Sequence, residues 1–398
     1  HSSRKREFED KLRNKDRATN EIARLSKILD VLVCGDGEHS VFEAIKMEKG
    51  IIDADDKDSS LFLTNDDFTE LPFPARHLVD VKSYKYEIEE KNATHLIAQL
   101  GCPFHCTFCS GRNSPFLRKI RTRTNESIIS ELRHLYKKYS YTGFMFYDDE
   151  LNVNKKAIIP LMNAITDLQE ELGVSFSLRG FVKAELFDKE QAKAMQRAGF
   201  KKLLSGFESG DPRILLNIKK RATLDDNTRC LETAKKYGIK VKALMSIGHA
   251  GESHKTIENT KNWLLKMDPE EFDCTIITTY PGSPYFDESV KQGEYYTYTS
   301  DITGDKLYQS NIDYLSDIDY YKGDPNGGYI SYVWTDYLKP NELAIARGEL
   351  EKEIRKKLEI KYDVPRPGIT YEHSMGMGLG NVKLPNNVFK KTNNTLST

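Results

Sequence analysis

The chain has 398 residues, which is enough to bury one large core or two ordinary ones. Lys and Arg total 59 and Asp and Glu total 60, so the net charge of −1 gives no global electrostatic reason to bind nucleic acid or an anionic membrane. No apolar run approaches the ~20 residues that a membrane span requires, and no signal-peptide pattern opens the chain. These features predict a cytoplasmic protein without a nucleic-acid or membrane partner.

Residues 1–70 combine a helical pattern with a short α/β pattern. Residues 4–30 are rich in charge and carry apolar residues at helical spacing, which predicts one or two amphipathic helices. An apolar strand then begins at Val31 and ends in a glycine turn, and a helix is predicted over residues 40–49. Residues 71–76 carry prolines at alternate positions, which is typical of an extended connector, so we assign residues 71–92 to a linker.

Residues 93–286 alternate short apolar strands with segments of helical length. The strands are predicted at residues 95–99, 144–147, 175–178, 202–206, 242–247 and 274–279, and the helices at residues 126–139, 155–172, 188–198, 224–237 and 254–266. Six βα repeats with helical crossovers indicate a parallel sheet. Partial closure of that sheet predicts an open barrel related to the eight-unit form, with its chemistry beyond the carboxyl ends of the strands.

Residues 287–398 have a different character. Ten tyrosines lie between residues 287 and 340, with Gly and Asp turns among them. This segment is either a small cap that faces the substrate or a wrap of loops whose tyrosines pack on the barrel. A charged helix is predicted over residues 341–360, and the polar tail from Asn386 is predicted to be disordered.

Three of the six cysteines lie in one short loop. Cys102, Cys106 and Cys109 are separated by three and then by two residues. Closely spaced thiolates suit a soft metal centre, either zinc or an iron–sulfur cluster. Zinc would require a fourth ligand at a comparable spacing, and none follows nearby. The remaining alternative is that two of the three cysteines are structural and the third has no role.

The clustering of cysteines indicates a reducing compartment. The other three cysteines are scattered along the chain and are predicted to be buried thiols: Cys34, Cys230 and Cys274.

The C-x3-C-x2-C spacing, with Phe108 just before the last cysteine, resembles the radical S-adenosylmethionine (radical SAM) enzymes from about residue 71 to residue 286. The resemblance implies a partial (β/α)6 barrel and a [4Fe-4S] cluster on the three cysteines, with S-adenosylmethionine (SAM) on the open iron beside Phe108. One electron from the reduced cluster would then cleave a carbon–sulfur bond and release a 5′-deoxyadenosyl radical. Flavodoxin or ferredoxin is the implied electron donor.

An acidic run closes the second predicted strand and resembles the family's acceptors for the ammonium group of SAM. It consists of Tyr147, Asp148, Asp149 and Glu150. A cationic sulfonium ligand with a free ammonium group needs acceptors at this rim, and three acids supply them. The alternative is an acidic helix start, because acids stabilise a helix N-terminus.

Four further positions resemble cofactor-binding residues of the family. Arg179 and Glu208 follow the third and fourth predicted strands and resemble the groups that hold the methionine carboxylate and the ribose hydroxyls. Arg221, in the pair Lys220-Arg221, resembles another basic position near the carboxylate. Gly248 follows the fifth strand, where the backbone approaches the adenine in the family. Ala250 stands where the family usually has proline, and an Arg–Glu salt bridge without ligand is the alternative reading of the charged residues.

The strand–turn–helix over residues 31–49 resembles the last βα unit of the cobalamin-binding domain that precedes many radical SAM cores. The resemblance predicts an enzyme that modifies an unactivated carbon of a small molecule by cobalamin-dependent methylation. Residues 1–92 are fewer than the ~100 that a doubly wound domain usually needs. A version without cobalamin therefore stays open: rearrangement, epimerisation, cyclisation or transfer of a fragment of SAM. A third hypothesis is an iron–sulfur electron carrier without SAM chemistry.

Overall fold

A computed structural model describes residues 24–81, 86–111, 114–312 and 330–359 of the protein. Its strands are β1 (Val31–Gly35), β2 (Gly50–Ala54), β3 (Glu87–Ile88), β4 (Lys91–Leu96), β5 (Gln99–Leu100), β6 (Arg121–Thr122), β7 (Gly143–Phe146), β8 (Ser177–Phe181), β9 (Phe200–Glu208), β10 (Lys240–Ile247), β11 (Glu271–Ile276), β12 (Val290–Gln292), β13 (Tyr295–Thr299), β14 (Lys306–Ser310) and β15 (Val333–Trp334).

The α-helices are α1 (Gly37–Ala44), α2 (Asn65–Glu70), α3 (Pro115–Arg118), α4 (Asn125–Tyr139), α5 (Lys155–Leu172), α6 (Lys189–Arg197), α7 (Pro212–Asn217), α8 (Leu224–Lys236), α9 (His254–Met267), α10 (Pro284–Asp287) and α11 (Pro340–Lys357). Short 3-10 turns lie at Arg76–Leu78 and Ala184–Leu186. Over the described ranges, no helix is both long enough and apolar enough to span a bilayer.

A seven-stranded sheet forms the centre of the molecule. Its strand order is β11-β10-β9-β8-β7-β4-β3, and every pair from β4 to β11 is parallel, whereas β3 is antiparallel to β4. Helices cross over between successive parallel strands, and the sheet curls into a half-barrel. The predicted partial barrel with six βα repeats is thus confirmed. The carboxyl ends of the six parallel strands meet at one edge, which is where sheets of this kind carry their ligand sites.

Successive side chains of each strand point to opposite faces of the sheet, which divides the core into two layers. Phe144 and Phe146 of β7 point towards the helices and pack with Phe176 and Leu203, whereas Met145 between them points into the half-barrel. The helix side is the larger apolar cluster, because the crossover helices cover that face of the sheet. The interior of the half-barrel holds a small apolar cluster and several charged residues.

Helix boundaries follow capping side chains that the sequence supplies. Thr223 accepts a hydrogen bond from the backbone N–H of Asp226, and Asp226 caps the Thr223 backbone in return, so α8 begins at a complete capping box. Thr124 similarly accepts from the backbone N–H of Ser127 at the start of α4. These signals explain why the five predicted core helices agree with the structure to within about two residues at either end.

The first predicted strand is the clearest boundary error in the core. The apolar run over residues 95–99 predicted a single strand, but β4 ends at Leu96. Gln99 and Leu100 instead pair with β6, and a buried acid, Asp148, accepts the backbone N–H groups of Ala98 and Gln99. A tertiary contact therefore ends the strand, and an apolar pattern alone does not reveal such a contact.

The tyrosine-rich segment forms a four-stranded antiparallel sheet, β12-β13-β14-β15, where the sequence predicted a cap or a wrap of loops. Tyr298 from β13 is buried and packs edge-on against Tyr285, with 4.9 Å between ring centroids. Four of the ten tyrosines, at positions 314, 320, 321 and 329, lie outside the described residues, as does the predicted tail from Asn386. The predicted charged helix is confirmed as α11, which packs on β11.

The N-terminal unit is a single parallel βαβ unit made of β1, α1 and β2. Asp36 follows β1 and forms a buried ion pair with Arg121, and Asp55 follows β2 and accepts from the Ser114 hydroxyl at 2.7 Å. The unit thus docks through the carboxyl ends of its strands onto the segment after the cysteine loop. The predicted helix over residues 4–30 lies largely outside the described residues, although residues 24–28 are helical.

Candidate active site

The cysteine loop follows β5 at the carboxyl edge of the half-barrel. The backbone N–H of Cys102 donates to the Leu117 carbonyl at 2.8 Å, and that of Thr107 donates to the Ile218 carbonyl at 3.0 Å. These bonds fix the loop to two neighbouring segments and leave the three thiols free of disulfides. Cys102 and Cys106 are half-buried, and Cys109 is exposed.

Gly101 lets the chain enter this loop, and its substitution is our first prediction. Its φ is +89°, and a Cβ there would lie 2.1 Å from the Lys119 carbonyl oxygen. We expect Gly101→Ala to destabilise the fold by at least ~2 kcal/mol and to lower the iron content after reconstitution. The control is Gly173→Ala, at φ +64° with nothing within 4 Å of its Cβ, which should cost only ~1 kcal/mol. Equal losses in denaturant unfolding would contradict the steric argument.

Two of the predicted acids hold the backbone that leads into the cysteine loop. Asp148 accepts from the N–H groups of Ala98, at 3.1 Å, and of Gln99, and Asp149 accepts from the N–H of Gly101 at 2.7 Å. Burial raises the pKa of the fully enclosed Asp148 to about 8. The structure therefore gives these two acids a loop-supporting role that the sequence did not predict.

Like Asp148, whose buried Oδ2 has no hydrogen-bond partner among the described residues, Glu150 has an available carboxyl oxygen. Its Oε2 is buried and has no hydrogen-bond partner among the described residues. Burial raises the pKa of its carboxyl to about 7, against the opposing attraction of Lys220 and Lys183. A buried carboxylate oxygen without a partner is costly, and a ligand ammonium group would satisfy it.

Glu208 is the last residue of β9 and forms a buried ion pair. Its Oε1 accepts from the Lys220 ammonium at 3.0 Å, and its Oε2 accepts from the Ser246 hydroxyl at 2.7 Å. Burial alone would raise the pKa of Glu208, but Lys220 and Ser246 bring it below its ordinary value. Gly206 leaves the room for this pair, because a Cβ there would lie 2.4 Å from Glu208 Oε1.

Two buried lysines place positive charge beside the cysteine loop. Lys183 donates to the Lys220 carbonyl at 3.0 Å and lies 4.1 Å from the centroid of the Phe104 ring. Burial raises the pKa of the Cys106 thiol, while Lys220 and Lys183 oppose that rise. Burial also raises the pKa of Cys102 to about 12. The thiolate forms therefore require further positive charge, which a metal centre supplies.

The remaining predicted site residues fall into two groups. Phe108 packs towards the core with its ring centroid 5.5 Å from that of His249, and Gly248, at φ +90°, donates its N–H to Glu252 at 3.2 Å. Both lie next to His249, which is connected to Glu208 through the Ser246 hydroxyl. Tyr147 is 40% exposed at the rim and makes an edge contact with His95 at 5.5 Å between centroids.

The two predicted arginines lie apart from this group. Arg179 does not follow β8, as predicted, but is its third residue, buried inside the half-barrel within electrostatic range of Lys242 and Glu271. Arg221 is exposed and lines a cavity of about 790 Å³ together with His105. The buried cation at this point is its neighbour Lys220. The physical reason is the left-handed backbone at both positions 219 and 221, which turns Lys220 inwards between them.

Sequence reasoning missed several residues that surround the site. They are Lys183, Ser246, His249 and Tyr285, and within the pair Lys220-Arg221 the sequence favoured the wrong member. Lys220 stands in a basic run of three in which only the fold decides which side chain points inwards. Ser246 is the penultimate residue of β10, and that strand-end position is the signal that could have drawn attention to it.

The donor set fits an iron–sulfur cluster. Three soft thiol ligands lie in one anchored loop, and the buried, unpartnered oxygen of Glu150 indicates a place for a cationic ligand nearby. Within the described ranges, no three His, Cys, Asp or Glu side chains converge on a position that could hold one metal ion. A four-iron cube does not need such convergence, because each thiolate binds a different iron.

The described residues do not by themselves fit cobalamin. Doubly wound domains bind such ligands in a crevice beyond the carboxyl ends of their strands, at a switch point between neighbouring strands. The described N-terminal unit is one βαβ unit, and the residues after its strands, Asp36 and Asp55, are already bonded to Arg121 and Ser114.

Glu252 provides a prediction for the pH dependence of stability. It is buried, accepts from Gly248 and Thr256, and burial raises its pKa from 4.5 to about 7. The folded state therefore holds an extra proton between these values, so stability falls as the pH rises through them. We expect Glu252→Gln to gain stability over the native protein across this window, on the order of 3 kcal/mol at most. Urea unfolding at pH values from about 5 to about 8 checks this. A difference that does not change with pH contradicts it.

Together these features define a class: an α/β half-barrel protein whose carboxyl edge is built to hold a thiolate-bound cluster and a small charged cofactor. The sequence profile of the Radical SAM superfamily matches residues 96–264. Residues 96–264 of the chain are thus similar to the Radical SAM domain, as the sequence predicted. The family implies a [4Fe-4S] cluster and SAM as cofactors.

Several curated proteins are similar to this chain. An uncharacterised methyltransferase of Pyrococcus horikoshii is 31% identical over 221 residues, which cover 56% of this chain and 47% of that protein. The hopanoid C-2 methylase of Rhodopseudomonas palustris is 24% identical, with coverages of 64% and 46%. The anaerobic magnesium-protoporphyrin IX monomethyl ester cyclase of Rubrivivax gelatinosus is 27% identical, with coverages of 47% and 33%. The chain thus spans between a third and about half of the length of these relatives.

A solved structure of the radical SAM methyltransferase TsrM from Kitasatospora setae, with cobalamin and a [4Fe-4S] cluster bound, is also similar. The TM-score is 0.47 at 17% identity, and the match covers 53% of this chain and 43% of that one.

Proposed function

We propose that the protein is an enzyme that cleaves SAM reductively and uses the resulting radical to modify an unactivated carbon of a small molecule. The observation that carries the proposal is the arrangement at the carboxyl edge: the anchored loop of three thiols lies beside the unpartnered oxygen of Glu150 and the buried Glu208–Lys220 pair. A plain electron carrier has no need of these buried charges, whose enclosure costs free energy unless a ligand or partner compensates it.

Each residue contributes binding or orientation. Cys102, Cys106 and Cys109 would hold three irons of the cluster. Glu150 would accept from the ammonium group of SAM, and Glu208 from its ribose hydroxyls. When bound, the cluster and SAM supply a 5′-deoxyadenosyl radical by reductive cleavage of a carbon–sulfur bond.

The other predicted residues enter the proposal in supporting roles. Asp148 and Asp149 hold the loop backbone, and Phe108 and Gly248 form part of the wall beside Glu208. Lys220, rather than Arg221, is the cation that orients the carboxylate. Arg179 lies inside the half-barrel and Tyr147 at its rim, and we propose that both face the substrate. A low-potential electron is required, and we propose flavodoxin or ferredoxin as its donor.

The finer proposal is methylation, with cobalamin as the methyl carrier. Its support is that relatives of this chain bear the names methyltransferase and methylase. One observation favours the alternative without cobalamin: the described N-terminal unit is a single βαβ unit whose strand ends are bonded to the barrel. Two similar proteins bear the name cyclase, which supports ring formation as one form of that alternative.

The experiment is anaerobic incubation of the reconstituted protein with SAM and a strong chemical reductant. We expect 5′-deoxyadenosine, quantified by mass spectrometry, and a loss of activity on exposure to oxygen. Intact cluster without any 5′-deoxyadenosine would instead support the electron-carrier hypothesis. Absorbance beyond the iron–sulfur bands after anaerobic purification with added cobalamin, together with methylated product, distinguishes the two enzymatic versions.

A further inference from the structure

A buried chain of hydrogen bonds runs from Tyr285 to the Glu208 carboxylate. The Tyr285 hydroxyl lies 3.4 Å from His249 Nδ1, His249 Nε2 lies 2.8 Å from the Ser246 hydroxyl, and that hydroxyl lies 2.7 Å from Glu208 Oε2. His249 and Tyr285 are both 0% exposed. The function proposed above assigns no role to His249, although this residue lies between the cysteine loop and the proposed ribose-binding carboxylate.

The chemistry of the groups fixes the direction of every bond in this chain. An ionised carboxylate can only accept, so Ser246 donates to Glu208. The Ser246 oxygen must then accept from His249, which places the proton on Nε2 and leaves Nδ1 to accept from Tyr285. Burial lowers the pKa of His249 to about 4, so the ring is neutral and has one donor and one acceptor.

The far end of the chain is tied to the cysteine loop. The backbone N–H of Tyr285 donates to the Thr107 carbonyl at 3.0 Å, and Thr107 lies between Cys106 and Cys109. Phe108 packs against the His249 ring, with 5.5 Å between centroids. On the other side, Tyr298 of the C-terminal sheet packs against Tyr285. These contacts fix the position of the His249 ring relative to both the cysteine loop and Glu208.

We propose that His249 is a positioning residue: by donating to Ser246, it holds the serine hydroxyl on Glu208 and so orients this carboxylate towards the ribose hydroxyls of SAM. The inference rests on the proposed function, because it assigns Glu208 to the ribose. Its specific consequence is that loss of the His249 donor weakens ligands that carry the ribose and spares those that lack it.

The test compares SAM with methionine, which shares the amino acid part of SAM but has no ribose. Equilibrium binding to the reconstituted protein is measured for the native chain and for His249→Leu, His249→Gln, Ser246→Ala and the double variant His249→Leu with Ser246→Ala. His249→Leu removes the donor, whereas the glutamine amide can place an N–H near the position of Nε2.

We expect His249→Leu and Ser246→Ala each to raise the Kd of SAM about 10-fold and the Kd of methionine less than about 2-fold. His249→Gln should restore most of the SAM affinity. Because His249 acts through Ser246, the double variant should be no weaker than Ser246→Ala alone. Equal losses for both ligands, additive losses in the double variant, or unchanged SAM binding would each overturn the proposal.

A second measurement does not depend on the cluster. In cluster-free protein labelled with ¹⁵N-histidine, His249 should show the neutral Nε2–H form, and Ser246→Ala should shift its Nε2 resonance. A protonated ring or the Nδ1–H form would overturn the inference. If the native reconstituted protein bound and cleaved no SAM, the proposed function itself would be wrong, whereas normal cleavage with an unaffected His249→Leu variant would refute only the role of His249.

Discussion

Replacing Cys106 with alanine is expected to remove the cluster and to lower the formation of 5′-deoxyadenosine by about three orders of magnitude or more. Under the proposed function each of the three loop thiolates would hold a different iron, so two remaining ligands would bind the cube too weakly to retain it. Cys106 is the informative choice because the buried ammonium groups of Lys220 and Lys183 act most directly on its thiol. Iron and sulfide analysis after anaerobic reconstitution, together with product quantification, measures the effect.

The matched control for this prediction is Cys230→Ala. Cys230 is fully buried in α8 and belongs to the apolar cluster between helices and sheet, so its loss should cost stability without changing the iron content. The strongest form of the test replaces Cys102, Cys106 and Cys109 together. Unchanged iron content in that variant would refute the assignment of the loop and the function built on it.

Lys220→Met is expected to have the second large effect. The substitution leaves the Glu208 carboxylate buried without its ion-pair partner, which costs roughly 3–5 kcal/mol of stability when a buried pair is broken. Without the ammonium, the pKa of Glu208 should also rise, because Lys220 is the chief group that offsets burial there. We therefore expect a lower midpoint in urea unfolding and weaker binding of SAM.

Two comparisons make this prediction specific. The double variant Lys220→Met with Glu208→Gln removes both charges, so it should recover much of the stability that the single variant loses. Arg221→Met changes the adjacent but exposed cation and should alter stability by less than about 0.5 kcal/mol. A large effect of Arg221→Met on SAM affinity with a small effect of Lys220→Met would restore the role that the sequence predicted for Arg221.

The basic pair at positions 220 and 221 shows where sequence reasoning about the site reached its limit. The motif indicated a cation near the cofactor, but either side chain could have provided it. The choice depends on left-handed backbone conformations at residues 219 and 221, which turn the intervening side chain inwards. Arg179 illustrates the same limit, because a strand boundary misplaced by three residues moved it from the rim of the half-barrel to its interior.

The acidic run after β7 shows a different limit. Its position at a strand end was predicted correctly, since β7 ends at Phe146 and the acids follow. The separate roles of these acids were not predicted, because Asp148 and Asp149 bind backbone N–H groups of residues 98, 99 and 101, which lie some 50 positions earlier in the chain. Only the parallel pairing of β4 with β7 brings those donors next to the acids.

The sequence alone determined the resemblance to the Radical SAM domain, the thiol loop and the six-unit half-barrel, because these depend on short-range spacing and on periodicities that each segment carries within itself. The tertiary structure decided which charges face one another: Lys220 with Glu208, Asp148 with the loop backbone, and His249 with Ser246 and Tyr285. The physical reason is that the net attraction between buried groups depends on distance and enclosure, and both arise only when separate strands end at the same edge of the sheet.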